Sequence, residues 1–417
     1  MREMKNSGTE WLSDIPHDWT LSNIGSLYTM RNVKVSDRDY PPLSVTMKGV
    51  VPQLETAAKT DAHDDRKLVR KGDFAINSRS DRRGSCGIAD RDGSVSLINT
   101  ILAPRTKMNP DYYNWLFHST SFADEFYRWG HGIVDDLWTT RWQEMKKIDV
   151  PVPSYEEQAQ IASTLETECT KVDALIANQE AQIVKLKAYK QSLITEVVTK
   201  GLDSNVPMKD SGVEWIGEIP KHWRLNRLKY IASYNDESLS EKEPDDLVIR
   251  YVEIGSVTLE NGITNNIEEM QFVNAPSRAR RITKVGDVIV STVRTYLKAI
   301  APITEDGLIV STGFCVIRPN KSISSKYLEY FTKSDIFSDC VSSNSVGISY
   351  PAINASRLMN FYIIEPPEDE QKRIAEYLDQ KCSKVDELIS IKQQKIEKLN
   401  QYKKSLIYEY VTGKKEV

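Results

Sequence analysis

The sequence predicts an α+β protein built as a tandem duplication, in which each half holds one α/β domain and one long coiled-coil helix. Two repeats predict this organisation. A helix-forming segment at 156–199 has a second copy that begins near Glu368, and an amino-terminal motif around Trp11 has a second copy around Trp215. A repeat that covers this much of a chain describes its architecture, because each copy corresponds to one structural unit.

Composition is typical of a soluble protein with several domains. The chain has 417 residues, which exceeds the size of one ordinary hydrophobic core. It is 40% apolar and 27% charged, with no apolar run long enough to span a membrane and no apolar signal-peptide segment near the amino terminus. The five cysteines form no Cys-x-x-Cys pair, so we expect a reduced, cytoplasmic protein without a membrane partner. The net charge of −4 argues against binding polyanions over the whole surface but permits a local basic face.

The amino-terminal motif contains two tryptophans in each copy. Trp11 and Trp19 match Trp215 and Trp223, and an Ile-Pro dipeptide lies between the members of each pair. These side chains could stack on a ligand. Because they recur beside apolar and proline residues and lack a cationic cluster, we predict that they pack as structural anchors.

The middle regions, roughly 25–150 and 230–364, differ strongly but keep traces of a common origin. Gly72-Asp73 matches Gly286-Asp287, and a strand-like apolar run follows each pair. Short β-branched runs, Gly-Asp turns and short helical segments together predict an α+β domain in each half.

The long helices carry an apolar seam whose period is about 3.5 residues, which is typical of a coiled coil. The helix partner is either the other copy in the same chain or a second protein molecule, and the two matched seams favour the same chain. Polar seam residues fix the register at some expense of stability. The first seam is Leu165, Cys169, Val172, Ile176, Gln179, Ile183, Leu186, Lys190, Leu193 and Val197, and the second is Leu378, Cys382, Val385, Ile389, Lys392, Ile396, Leu399, Lys403, Leu406 and Tyr410.

Catalytic motifs are missing from the sequence. There is no G-x-x-x-x-G-K-[ST] phosphate loop and no Asn-Pro-Pro-Tyr motif for amino-group methylation. The five histidines lie far apart and have no metal-ligand spacing. We therefore expect no catalytic residue, no cofactor and no metal site in this chain.

Two loops carry the residue types that contact DNA, and both follow the matched Gly-Asp turn. Arginine on a loop suits phosphate contacts or paired hydrogen bonds to guanine, and hydroxyl groups donate to either. A solvated turn is the alternative interpretation. The candidates are Arg79, Ser80, Arg82 and Arg83 in the first half, and Thr292, Arg294, Tyr296 and Lys298 in the second.

Weaker candidates follow in each half. Thr139 and Arg141 follow Trp138, and Ser349 and Tyr350 take the matching place in the second half. We expect two basic runs near the strands either to contact phosphate or, equally, to protect exposed strand edges by their charge. These runs contain Arg66, Lys67 and Arg70 in the first half and Arg278, Arg280 and Arg281 in the second.

The ordered double set of motifs resembles the specificity subunit of type I restriction–modification systems over essentially the whole chain. It consists of the twin Glu-Trp-x-x-x-Ile-Pro-x-x-Trp motifs, the helix starts PSYEEQAQIASTL and PPEDEQKRIAEYL, and the helix ends LITEVVT and LIYEYVT. The first helix start departs slightly, with Ser154 where the second has Pro367. The resemblance divides the chain into a target recognition domain (1–153), a first long helix (154–200), a second target recognition domain (201–366) and a second long helix (367–417).

What the resemblance implies is a non-catalytic subunit that recognises double-stranded DNA. The two target recognition domains would lie at opposite ends of an antiparallel helix pair with pseudo-twofold symmetry, each recognising one half of a bipartite asymmetric site. The helices would set the spacer and dock two methyltransferase subunits, and restriction subunits would join them. S-adenosylmethionine, ATP and Mg would be used by those partners. The alternative from another class is a coiled-coil interaction scaffold that binds no DNA.

Overall fold

The computed structural model describes residues 2–54, 63–79, 83–133, 138–264 and 267–417. It divides into two compact units. Unit 1 comprises the chain up to Glu180 together with Gln393–Val417, and unit 2 comprises Ala181–Lys392. This division cuts both long helices near their middles, so it does not follow the four-part domain division, which stays a prediction.

Unit 1 is a mixed α/β unit made from short strands and helices. Its strands are β1 (Met4–Asn6), β2 (Asp14–Pro16), β3 (Thr20–Asn23), β4 (Tyr28–Met30), β5 (Lys34–Val35), β6 (Leu43–Thr46), β7 (Gly49–Pro52), β8 (Arg66–Val69), β9 (Phe74–Asn77), β10 (Cys86–Ile88), β11 (Gly93–Val95), β12 (Asn99–Pro104) and β13 (Asp149–Val152). Its helices are α1 (Ile24–Leu27), α2 (Pro110–His118), α3 (Thr120–Arg128), α4 (Trp142–Met145), the first part of α5 (Tyr155–Lys200) and the last part of α10 (Glu368–Val411).

Unit 2 repeats most of these elements. Its strands are β14 (Met208–Asp210), β15 (Glu218–Pro220), β16 (Arg224–Arg227), β17 (Ala232–Tyr234), β18 (Val248–Val252), β19 (Val257–Thr258), β20 (Gly262–Ile263), β21 (Glu268–Gln271), β22 (Ala279–Ile282), β23 (Val288–Ser291), β24 (Ile300–Pro302), β25 (Leu308–Ser311), β26 (Phe314–Pro319) and β27 (Tyr362–Glu365). Its helices are the last part of α5, α6 (Leu228–Ile231), α7 (Ser325–Lys333), α8 (Asp335–Ser343), α9 (Ala355–Leu358) and the first part of α10 (Glu368–Val411). Short 3-10 turns lie at Ile254–Ser256, Phe272–Asn274 and Thr295–Leu297.

The central sheet has the same strand order in both units, β10-β9-β12-β4 in unit 1 and β24-β23-β26-β17 in unit 2. The pairs β1-β2 and β3-β13 likewise match β14-β15 and β16-β27. The second sheets differ, because unit 1 has the order β11-β8-β5 and unit 2 has β21-β18-β25-β22 with one parallel pair, β18 and β25. The predicted α+β fold and its duplication are therefore confirmed, and the divergence lies in the second sheet.

The long helices pair within each unit, as the seams predict. In unit 1 the start of α5 and the end of α10 share one core that includes Leu165, Cys169, Leu406 and Tyr410. In unit 2 Lys190 pairs with Asp386 and Lys392 contacts Gln182, so the two segments run antiparallel. All twenty seam positions are buried or half-buried. The described residues include no helix that is both long and apolar enough for a membrane span.

The tryptophans of the amino-terminal motif are anchors, as predicted. Trp19 and Trp223 are fully buried, and the indole N–H of each donates to a glutamate at the start of a long helix. The two bonds, Trp19 to Glu157 and Trp223 to Glu370, are both 2.9 Å long. They explain why the Glu-Gln pair that opens each helix recurs with the motif, since the motif and the helix start are hydrogen-bonded partners.

Candidate nucleic-acid interface

In unit 1 the loop after β9 lies against a segment some sixty residues later in the chain. Thr140 N–H donates to the Ser78 carbonyl at 3.1 Å, and Arg79 forms a β-bridge with Thr139. His131 and Thr139 exchange two backbone hydrogen bonds of 3.0 Å each. We call the described residues 77–79, 83, 131–133 and 138–141 the first face. It unites the described DNA-contact candidates of this half, Arg79, Arg83, Thr139 and Arg141, on one surface.

An aromatic stack supports one arginine of the first face. The Arg83 guanidinium carbon lies 4.0 Å from the centroid of the Tyr127 ring, and that ring stacks on Trp138 at 5.5 Å. Trp138 is held in turn by a 2.9 Å hydrogen bond from its indole N–H to the Tyr127 carbonyl. Arg83 also approaches Asp124 at 3.4 Å, an exposed pair that contributes little binding energy. The stack orients the guanidinium through its flat face and does not occupy its N–H groups, of which the one on Nη1 approaches Asp124.

The other cations of the first face are exposed. Arg79 and Arg141 extend into solvent, and within the part of the chain that the structure describes neither guanidinium has an ion-pair partner. The Arg79 backbone N–H donates to Asn77 Oδ1 at 3.0 Å, which steadies the start of the loop. The predicted candidates Ser80 and Arg82 lie outside the described residues.

Unit 2 presents a surface of the same construction. Ile353 N–H donates to the Thr292 carbonyl at 2.8 Å, and Val293 forms a β-bridge with Ala352. Val346 and Ala352 exchange backbone hydrogen bonds of 2.8 and 3.0 Å, which closes a hairpin between them. We call residues 292–298 and 345–353 the second face. Its loop and hairpin correspond to those of the first face, although their side chains differ.

Backbone strain concentrates in the loop of the second face. Arg294 and Lys298 have φ values of 50° and 48°, a left-handed conformation that is unusual for residues other than glycine. Such strain costs about 1–3 kcal/mol per residue and is typical of binding sites. Arg294 is exposed, and its guanidinium carbon lies 5.0 Å from the centroid of the Tyr350 ring on the hairpin. Loop and hairpin therefore cooperate to present one arginine.

The remaining candidates of the second face have different environments. Tyr296, Ser349 and Tyr350 are exposed and can contact a ligand. Thr292 is buried, and its hydroxyl donates to the Gly313 carbonyl at 2.8 Å, so this residue supports the loop. Lys298 Nζ lies 2.6 Å from Asp339, which neutralises much of its charge.

Arg66, in the basic run at β8, has a structural role. The Arg66 side chain is buried, and it donates to the Ser94 hydroxyl at 2.8 Å and to the Ser94 carbonyl at 2.9 Å. Both sequence interpretations, phosphate contact and strand-edge guard, are wrong for Arg66, because each requires an exposed side chain. Arg278 in unit 2 pairs with Glu253 and so has its charge balanced.

No group of three or more metal-ligating side chains occurs among the described residues. The buried thiols are poor nucleophiles, since burial raises the pKa of both Cys86 and Cys315 to about 12. The chemistry that both faces offer is hydrogen-bond donation, positive charge and exposed aromatic or apolar surface.

Sequence reasoning missed one element that both faces share. It is a Gly-Ile dipeptide, Gly132-Ile133 in the first face and Gly347-Ile348 in the second, and its recurrence in otherwise different loops was the available signal.

Comparisons with known proteins agree with this construction. Residues 220–401 match the family described as type I restriction modification DNA specificity domain. The MjaVIII specificity subunit of a type I restriction enzyme from Methanocaldococcus jannaschii is 25% identical, with 96% of this chain and 93% of that protein covered. The specificity subunit of EcoKI from Escherichia coli is 34% identical over 24% of this chain and 22% of its own.

Solved structures share the fold across nearly the whole chain. A chain from a study of complex assembly and conformational transition in the type I R-M system superposes with a TM-score of 0.70 at 16% identity, covering 96% of this chain and 99% of that one. The HsdS subunit from Thermoanaerobacter tengcongensis gives a TM-score of 0.52 at 16% identity, with 98% and 99% covered. Twin motifs, duplicated sheets and these relatives lead to one conclusion: the chain is similar to the specificity subunits of type I restriction–modification systems over nearly its whole length.

Proposed function

We propose that this chain selects the DNA sequence for a type I restriction–modification complex, with the first and second faces each recognising one half of a bipartite, asymmetric site. The observation that carries the proposal is the pairing of equal scaffolds with unequal faces. The central sheets have the same strand order, but the exposed residues differ. The first face presents Arg79, Arg83 and Trp138, and the second face presents Arg294 and Tyr350. Equal scaffolds with different contact residues suit the recognition of two different half-sites.

The chemistry of the faces suits a DNA groove. Exposed guanidinium groups donate to phosphate oxygens or to guanine O6 and N7, and exposed hydroxyl groups donate to base edges. The stacked arginines, Arg83 on Tyr127 and Arg294 on Tyr350, lose little conformational freedom on binding because they are already oriented. Names of the relatives, which are specificity subunits, support the same assignment.

The partners follow from the same assignment. The long helices dock two methyltransferase subunits and set the length of the unread spacer, and restriction subunits join this core. S-adenosylmethionine, ATP and Mg serve those partners, while this chain takes no part in a covalent step. The net charge of −4 is unfavourable for binding a polyanion, so cations from the partners contribute to affinity, and the chain alone binds DNA weakly.

The test uses the chain assembled with its methyltransferase subunit and maps the methylated sequence. Replacing residues 25–150 by the corresponding domain of a related subunit should change one half of that sequence and leave the other half intact. The matched control replaces 230–364, which should change the other half only. Changes in both halves from one exchange, or sequence-independent binding by the wild-type complex, would contradict the proposal.

A further inference from the structure

Two isoleucines are the most exposed large apolar side chains among the described residues. Ile133 is 95% exposed and Ile348 is 103% exposed, whereas Val346, the next in order, is 73% exposed. A side chain with such values touches almost nothing in its own chain. Single exposed apolar residues are ordinary in soluble proteins, so the exposure becomes informative only through the position of the two residues.

The two isoleucines occupy equivalent positions. Each follows a glycine, and each lies two residues after a residue that exchanges backbone hydrogen bonds across the segment, His131 with Thr139 and Val346 with Ala352. The surrounding residues of the two faces differ. A feature retained in two different faces performs a task common to both half-sites and does not distinguish them.

Hydrogen bonds hold the hairpin from which Ile348 projects. Besides the Val346–Ala352 hydrogen bonds, Thr295 and Ser345 hydroxyls lie 2.7 Å apart, and the Ser345 hydroxyl donates to the Val341 carbonyl at 2.8 Å. Gly347 has φ 124°, and a Cβ there would lie 3.0 Å from the Tyr350 carbonyl oxygen. The glycine is therefore required to turn the chain so that Ile348 projects from the tip.

Each isoleucine shares its face with an exposed arginine. Arg294 stacks on Tyr350 of the same hairpin, and Arg79 pairs by its backbone with Thr139, the partner of His131. An apolar tip beside guanidinium groups matches DNA-binding proteins that anchor on phosphates and push an isoleucine, leucine or phenylalanine between base pairs.

We propose that Ile133 and Ile348 are apolar wedges that enter the base stack, one in each half-site, and locally open the duplex. The inference rests on the proposed function, since it requires DNA on both faces. The wedge gains apolar contact at the expense of base stacking. An apolar wedge can enter any base-pair step that deforms easily, so isoleucine can serve in two half-sites of different sequence.

The test compares intact and pre-opened DNA with the full chain in its assembled complex. Ile348→Ala should weaken binding to the intact cognate duplex about tenfold through lost apolar contact. Duplexes that carry one abasic position, moved stepwise through the half-site, should bind the variant as tightly as wild type at one position, because the opening is already present. Ile133→Ala should behave alike, but with an abasic position in the other half-site.

Controls separate the wedge from other roles. Ile348→Leu should bind like wild type, and so should Val285→Ala, which trims another exposed apolar residue of unit 2. Replacing thymine by uracil throughout the half-site should leave the effect of Ile348→Ala unchanged, since the wedge needs no thymine methyl group. Equal weakening on every duplex, unchanged binding, or loss of complex assembly without DNA would each overturn the wedge. Retained sequence selectivity of the wild-type complex shows, in all these outcomes, that the proposed function still holds.

Discussion

Lys403 Nζ lies 2.7 Å from each carboxylate oxygen of Asp173 in unit 1. The repeat-related residues make the same contact in unit 2, where Lys190 Nζ lies 2.8 and 2.6 Å from the carboxylate oxygens of Asp386. Both lysines are polar members of the apolar seam. A lysine in a coiled-coil seam needs an acceptor at its end, and a carboxylate on the facing helix supplies one only in the correct register.

The Asp173–Lys403 pair should show reciprocal charge dependence. Asp173→Lys places two cations together and should lower the free energy of unfolding, while Asp173→Lys combined with Lys403→Asp should recover much of it. The coupling should be small, about 0.5 kcal/mol, because the pair is partly exposed. Urea unfolding of the four proteins in the cycle, at low and high salt, measures it. A coupling of zero at low salt would exclude the pair as a register contact.

Arg294 should combine a recognition role with a strained backbone. Arg294→Ala and Arg79→Ala should each weaken DNA binding by the assembled complex, and at least one should relax the preference at a single base position of its own half-site, by roughly 1–3 kcal/mol for a paired guanine contact. Binding to a panel of single-base variants at two salt concentrations measures this.

A matched control exploits the φ value of 50° at Arg294. Glycine accepts this conformation without strain, so Arg294→Gly should be more stable than Arg294→Ala by roughly 1 kcal/mol, while the loss of DNA binding should be alike. Wild-type affinity and selectivity in the alanine variants would remove these loops from the recognition surface.

Arg66 should matter for stability and not for DNA. Arg66→Ala leaves the buried Ser94 carbonyl without its donor and should lower the free energy of unfolding by about 2 kcal/mol. The salt dependence of DNA binding should not change, because the side chain does not reach the surface. Arg70→Ala, at an exposed position next to the same strand, is the control for stability. A flatter salt dependence with unchanged stability would show that Arg66 contacts phosphate after all.

His118 should make the stability of unit 1 depend on pH. Burial lowers the pKa of His118 below its usual value of 6.5, because the protonated ring cannot be solvated. The unfolded chain therefore takes up the proton first as pH falls. The contribution of neutral His118 to the free energy of unfolding should be fully present above about pH 6.5. It should decline as pH falls towards the lower pKa of the folded state.

Thermal unfolding between pH 8 and pH 5 checks this expectation, within the range where such histidine titration occurs. His118→Gln removes the titrating group and should flatten the decline, whereas His17→Gln, at an exposed position, should leave it unchanged. An identical decline in wild type and His118→Gln would assign the pH dependence to other groups.

The sequence by itself determined the helices, their pairing and the duplication. The helix predicted at 156–199 extends from Tyr155 to Lys200, and the copy expected to begin near Glu368 does so. Helix periodicity and stop signals are local properties, and an apolar seam specifies its own burial whatever lies elsewhere in the chain. The matched Gly-Asp turns likewise located equivalent strands, because turn chemistry is local.

Only the tertiary structure decided which residues form each face. Ser78 meets Thr140, and Thr292 meets Ile353, through backbone hydrogen bonds between distant segments, which no local pattern encodes. The same dependence hid the burial of Arg66, since Ser94 reaches it from another strand, and the exposure of Ile348, which follows from a hairpin closed by Val346 and Ala352. A sequence states what each residue could contact, and packing between distant segments selects which of those contacts form.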